Sequence, residues 1–169
     1  LFKYIQKLED ELERSPPDIL GMSNYAWCYR VSREISKIFL RLNPNGIIVW
    51  GGPNFPLDLP SQERFFSDNS VIDIYVPVEG EIGFTNVVKK ALEVNSKDEF
   101  RNKMLEEPID GCITRLKNGK LQYSTAPIRT KQLDEIPSPY TTGILDEFFD
   151  GKLAPMIQTN RGCPFSCTF

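Results

Sequence analysis

"PDILGMSNYAWCYRVSREISKIFLRLNPNGIIVWGGPNFP", residues 17–56, decides the fold. "DILGMSNY" reads as a short buried strand that finishes in polar residues. From Trp27 to Leu42 the period changes: Trp27, Val31, Ile35, Ile38, Phe39 and Leu42 recur at helical spacing. The opposite face carries Arg30, Arg33, Glu34, Lys37 and Arg41, with Arg30 and Glu34 one turn apart. "NPNG" is a turn, and "IIVWGG", residues 47–52, is a second strand that runs straight into glycines. A strand that is apolar throughout, rather than alternating, has both faces covered, as parallel strands do.

The same alternation extends in both directions. Residues 2–14 place Phe2, Ile5, Leu8 and Leu12 on one helical stripe, which Ser15-Pro16-Pro17 ends. "LPSQERFFSDN", 59–69, predicts a short helix, "VIDIYVPVEGE", 71–81, a third strand, and "IGFTNVVKKALE", 82–93, another helix. Strand and helix in turn, with right-handed crossovers, give an α/β fold: a three-layer parallel sheet of Rossmann-like type. A helix ahead of the first strand, and a start at Leu1 without an initiator Met, read as a piece of a longer polypeptide missing its first strands. From about residue 97 the texture changes. "SKDEFRNKMLEE" is a helix candidate, and Asn118-Gly119 sits between two strand-like runs, a strong hairpin signal. The expected organisation is an α/β domain over 1–96, a connector with a β-hairpin over 97–155, and a new strand and loop over 156–169.

Composition narrows the function. The 169 residues carry a net charge of −3 and a pI near 5.1, which gives no electrostatic case for nucleic acid or an anionic membrane. No apolar run approaches the roughly 20 residues of a spanning helix. Four unevenly spaced cysteines do not make a secreted disulfide scaffold, so a reducing, cytoplasmic setting is expected. Histidine is absent, which removes histidine acid–base chemistry and Ser-His or Cys-His nucleophiles from these residues.

In an open parallel sheet, ligands bind at the carboxyl ends of the strands. Three loops emerge there. Ser23, Asn24 and Tyr25 follow the first strand; Gly51, Gly52 and Pro53 follow the second; Glu79, Gly80 and Glu81 follow the third. Each also has a plain structural reading. A serine before a helix caps it, paired glycines make a tight turn, and carboxylates at a helix start stabilise its dipole. Trp27 reads as core, Tyr25 as a candidate for a ligand face, and Cys28 and Cys112 as packed. Neither Gly-x-Gly-x-x-Gly nor a Walker-type loop occurs. At the end of the chain, "IQTNRGCPFSCTF" sets Cys163 and Cys167 four apart, a spacing open to a disulfide, a metal site or free thiols.

Residues 17–93, followed by that tail, resemble the cobalamin-binding domain and cluster loop of cobalamin-type radical S-adenosylmethionine enzymes. The family's cluster motif is Cys-x-x-x-Cys-x-x-Cys; Cys163 and Cys167 match its first two positions, and the third falls beyond Phe169. The resemblance implies that Cys163 and Cys167 are ligands of a 4Fe-4S cluster whose open iron binds S-adenosylmethionine, with Phe169 near the adenine. It implies that Ser23, Asn24, Tyr25, Gly51, Gly52 and Pro53 line cobalamin, bound without a histidine ligand, and that Glu79, Gly80 and Glu81 face the cofactor. It implies too that 156–169 opens a TIM-type barrel. The parent enzyme would reductively cleave S-adenosylmethionine, with methyl transfer to carbon or phosphorus as its outcome, electrons from a flavodoxin or ferredoxin, and a small-molecule substrate. The 169 residues alone would be inactive. The rival reading is a cobalamin-binding or interaction module without catalysis.

Overall fold

A computed structural model describes residues 5–124, 135–152 and 154. The chain divides into two compact units, Leu1–Lys131 and Gln132–Phe169. The first contains helices α1 (Ile5–Arg14), α2 (Tyr29–Leu42), α3 (Leu59–Asp68), α4 (Gly80–Glu93) and α5 (Phe100–Met104). Its strands are β1 (Ile19–Ser23), β2 (Ile47–Gly51), β3 (Ile74–Val76), β4 (Ile113–Arg115) and β5 (Leu121–Tyr123). In the second unit the described residues form a 3-10 turn at Asp146–Phe148, and the Tyr140 and Phe149 rings lie 6.0 Å apart.

The five strands form one sheet in chain order. β1, β2 and β3 are parallel, with Ile19 opposite Ile47 and Val49 opposite Ile74. Side chains of a strand alternate between faces, and here both faces are covered. Ile47, Val49, Ile74 and Val76 pack with Val87 of α4 and with Phe100 and Met104 of α5. Ile48, Trp50 and Tyr75 pack on the other side with Leu12 of α1, Phe39 of α2 and Phe66 of α3. At about 1.5–3 kcal/mol for each large aliphatic side chain removed from water, this two-sided burial is the main stabilising term. Polar groups inside the core are paired: Trp50 Nε1 donates to Ser36 Oγ at 3.0 Å, and Ser36 Oγ donates to Ser32 O at 2.8 Å.

The expectation of an all-parallel sheet is corrected. The hairpin around Asn118-Gly119 forms, but β4 pairs antiparallel with β3, so the sheet is mixed and the hairpin is part of it. Cys112 joins one core and Ile113 the other, so the hairpin closes both. β3 is also shorter than expected: Pro77 has no N–H to offer a ladder, and Val78 takes φ 62°.

At the amino ends of β2 and β3, Asp73 is buried. It accepts hydrogen bonds from Ile48 N and Arg101 Nη1, both at 2.9 Å, and from Arg101 Nη2. Arg101 Nη1 also donates to Gly46 O at 2.6 Å, which ties α5 to the turn before β2. Burial pushes the Asp73 carboxyl above its ordinary value, and the Arg101 guanidinium offsets part of that rise. Among the described residues no helix is long and apolar enough to cross a membrane. The strand and cluster loop expected over 156–169, with Cys163, Cys167 and Phe169, lie outside the described residues.

Candidate functional site

The register brings the three parallel strands to a common edge. Ser23 lies opposite Gly51, and Gly51 opposite Val76, so the loops after β1, β2 and β3 leave the sheet side by side.

The first loop folds around a thiol. Cys28, not Ser23, is the residue before α2, and it makes no capping bond with its side chain. Its Sγ donates to Ser23 O at 3.2 Å and accepts from Tyr25 N at 3.4 Å. Burial pushes the thiol up, but hydrogen bonds from the Tyr25 backbone and the Ser23 and Ser32 hydroxyls outweigh it and leave Cys28 below its ordinary value. Trp27 was expected in the core and is instead 81% exposed, because α2 begins at Tyr29 and the residues before it turn outward. Its ring stacks on that of Tyr25 at 4.6 Å and 19°. Two exposed aromatics, stacked face to face, thus stand beside Ser23, which is itself exposed.

Asn24, by contrast, is fully buried. Its Nδ2 donates to Asn54 O and, at 3.0 Å, to the Tyr75 hydroxyl; Asn54 Nδ2 donates to its Oδ1 at 3.2 Å. The Tyr75 hydroxyl in turn donates to Gly52 O at 2.7 Å. Gly52 has φ 126°, and a Cβ there would stand 2.7 Å from the Asn24 carbonyl oxygen, so what the missing side chain admits is the chain's own backbone. At Gly51 a Cβ would meet Val76 O at 3.2 Å. Pro53 is exposed.

In the third loop Glu79 precedes α4 without a side-chain capping bond, and Glu81 lies in the first turn, where a carboxylate favours the helix dipole. Gly80 faces open space: nothing lies within 4 Å of where its Cβ would be. Val78, at φ 62°, is a β-branched residue in the left-handed region, a backbone strain that surrounding structure must hold.

Two cavities flank the second loop, and Pro53, Phe55 and Pro56 line both. One, of about 510 Å³, reaches Tyr29 and Phe65. The other, of about 540 Å³, reaches Leu59, Val78, Cys112 and Tyr123 and is mainly apolar. Gln62 lines it as well, and the buried Gln62 Oε1 has no hydrogen-bond partner among the described residues. Leu57, 98% exposed, stands at its rim. A larger cavity of about 700 Å³ lies off the strand ends, between α3 and the hairpin, where Arg115 donates to the carbonyls of Phe66 and Ser70. Cys112 is packed, as expected, and burial, aided by the Asp110 carboxylate, pushes its thiol up to about 12. Among the described residues no cluster of three metal-ligating side chains occurs.

Over 98% of its length the chain is 27% identical to a protein of Streptomyces tokunonensis named as the cobalamin-dependent radical SAM methyltransferase TokK. Over 90% it is 28% identical to a 2-(S-pantetheinyl)-carbapenam-3-carboxylate methyltransferase of Streptantibioticus cattleyicolor. Its relatives are methyltransferases. A third, an uncharacterized methyltransferase of Pyrococcus horikoshii, is 28% identical over 94% of the chain. The chain spans 23%, 22% and 32% of the lengths of these three relatives. No protein-family profile matches it.

The three loops that the sequence singles out are brought together, but their residues divide into two kinds. Ser23, Tyr25, Pro53 and Gly80 are exposed or open; Asn24 and Gly52 are occupied by contacts within the chain. Trp27 and Tyr75 were not singled out as site residues. A turn between Ser23 and Tyr29 would have exposed Trp27; nothing local marks Tyr75, whose partner lies 51 positions away.

Proposed function

We propose that the carboxyl edge of β1, β2 and β3 is a cobalamin-binding surface, and that the polypeptide carrying it is a radical S-adenosylmethionine methyltransferase. The observation that carries this reading is the shared edge itself: Ser23, Gly51 and Val76 end on one line, beside an exposed Tyr25–Trp27 pair and open space at Gly80. The names of the relatives, matched along nearly the whole chain, support the same chemistry.

The residues present fit a large, flat, partly apolar group. The stacked Trp27–Tyr25 pair offers an outer aromatic face, Ser23 a hydroxyl, Pro53 an exposed ring and Gly80 open space. These 169 residues contain no histidine, so they would hold the group by packing and hydrogen bonding. Cys163 and Cys167 offer thiolates of the kind that iron–sulfur clusters require, and the cluster would need a third thiolate besides these two. When bound, cobalamin would supply the methyl group, and cluster and S-adenosylmethionine the radical chemistry. A flavodoxin- or ferredoxin-type donor would provide the electron. The chain's own part is to seat the cofactor and to keep the thiolates available.

Anaerobic reconstitution of the full-length polypeptide with iron and sulfide tests the proposal. Close to four irons per chain and a reduced-cluster paramagnetic signal are expected, both lost in Cys163→Ala. Iron-free protein after reconstitution would leave a cobalamin carrier without catalysis as the better reading.

A further inference from the structure

We infer that Asn24 and Tyr75 form a lock that holds the Gly52–Pro56 loop in its ligand-ready shape, so that Asn24 positions the loop and does not itself touch what binds there. The inference rests on the cobalamin reading above. Sequence alone groups Asn24 with Ser23 and Tyr25 as a ligand contact, but its polar atoms are taken up within the chain. Its N–H donates to Gly51 O at 2.6 Å, and its carbonyl accepts from Asn54 N at 3.2 Å. Both hydrogens of Nδ2 are used, on Asn54 O and on the Tyr75 hydroxyl, and Oδ1 accepts from Asn54 Nδ2. With no exposed surface, Asn24 has nothing to present to a ligand.

Tyr75 completes the device from the neighbouring strand. Its hydroxyl accepts from Asn24 and donates to Gly52 O, while its ring stacks on Phe55 at 3.9 Å and 17°. The loop is therefore gripped at Gly52 by its carbonyl, at Asn54 by both main chain and side chain, and at Phe55 by its ring. Burial pushes the Tyr75 hydroxyl up to about 12, so it remains a donor throughout the physiological range. A loop ordered before binding spares the ligand the entropy of ordering it. Pro53 and Leu57, which this arrangement leaves exposed, are among the groups that a ligand can reach.

Tyr75→Phe in the full-length protein removes the shared hydroxyl and keeps the ring. Without any ligand, amide exchange over residues 52–58 is expected to quicken about ten-fold, the scale of one to two lost hydrogen bonds. Hydroxocobalamin Kd is expected to rise by a similar factor. Phe100→Leu, a core truncation on the opposite face of the sheet, loses comparable stability and is expected to leave Kd unchanged. Asn24→Ser is expected to weaken binding, and adding Tyr75→Phe to it to cost little more, since both break one device. Unchanged exchange over 52–58 in Tyr75→Phe overturns the lock, as does an equal rise in Kd for Phe100→Leu, or fully additive losses in the double variant. Wild-type protein that binds no corrinoid sinks the cobalamin reading instead, and the exchange measurement then decides the lock alone.

Discussion

Gly52→Ala tests the backbone geometry on which the site depends. Gly52 has φ 126°, a region that L residues scarcely enter, at a cost of about 1–3 kcal/mol. The new methyl would also sit 2.7 Å from Asn24 O and 3.2 Å from Asn24 C and N. These are backbone atoms held by the pairing of β1 with β2, so they cannot swing aside as a side-chain tip would. Forced shifts of this kind cost about 1–3 kcal/mol more. The sum is about 4 kcal/mol, and for a unit of this size about 15 °C in Tm. Gly80→Ala is the matched control: its Cβ meets nothing within 4 Å and it opens α4, so alanine should be neutral or stabilising by about 0.5 kcal/mol. Thermal unfolding followed by circular dichroism, with urea titrations alongside, compares the two. A Gly52→Ala protein within about 2 °C of both wild type and Gly80→Ala would refute the reasoning, because neither the dihedral nor the close approach to Asn24 could then be as described.

Arg101→Met should destabilise by about 3 kcal/mol, since it leaves the Asp73 carboxylate buried without its cation. The pH dependence has a definite sign. With the native carboxyl raised above its ordinary value, folding gains fully below the ordinary value, near pH 4, and that gain is lost as pH rises through the native one. Arg101→Met should steepen this fall, and urea midpoints that run parallel for the two proteins from pH 4 to 7 would contradict it. The two described thiols should differ sharply toward iodoacetamide at pH 8: Cys28, lowered and half-buried, should react at least about a hundred-fold faster than Cys112, held near 12. Peptide mapping reads the ratio, and equal labelling would refute the packing of Cys112. Trp27→Ala should cost little stability, being exposed, yet weaken hydroxocobalamin binding about ten-fold if its ring supports the cofactor.

Much of the sheet was legible in residues 17–56 because its signal is local. "IIVW" is apolar at four successive positions, and the structure buries Ile47 and Val49 on one face and Ile48 and Trp50 on the other. The direction of the hairpin was not legible. Asn118-Gly119 fixes how β4 meets β5, but the pairing of β4 with β3 is a tertiary choice, made where Cys112 and Ile113 each find a core. Trp27 misled because a helical period does not state where the helix begins; one turn too many placed an exposed ring inside. At the site the ends of the first two strands were readable from Ser23 and Gly51, whereas the stop at Pro77 was missed and the third strand was carried on to residue 81. Whether a residue there meets a ligand or its own chain depends on partners 30 and 51 positions away, as Asn24 shows.

The central claim is most directly tested by titrating the full-length protein with hydroxocobalamin, under the conditions in which it is folded, and then by gel filtration. The account predicts about one corrinoid retained per chain, with tryptophan quenching that is diminished in Trp27→Phe, where Trp50 still reports. A well-folded wild-type protein from which the corrinoid elutes freely, with Trp27 emission unchanged, would contradict it.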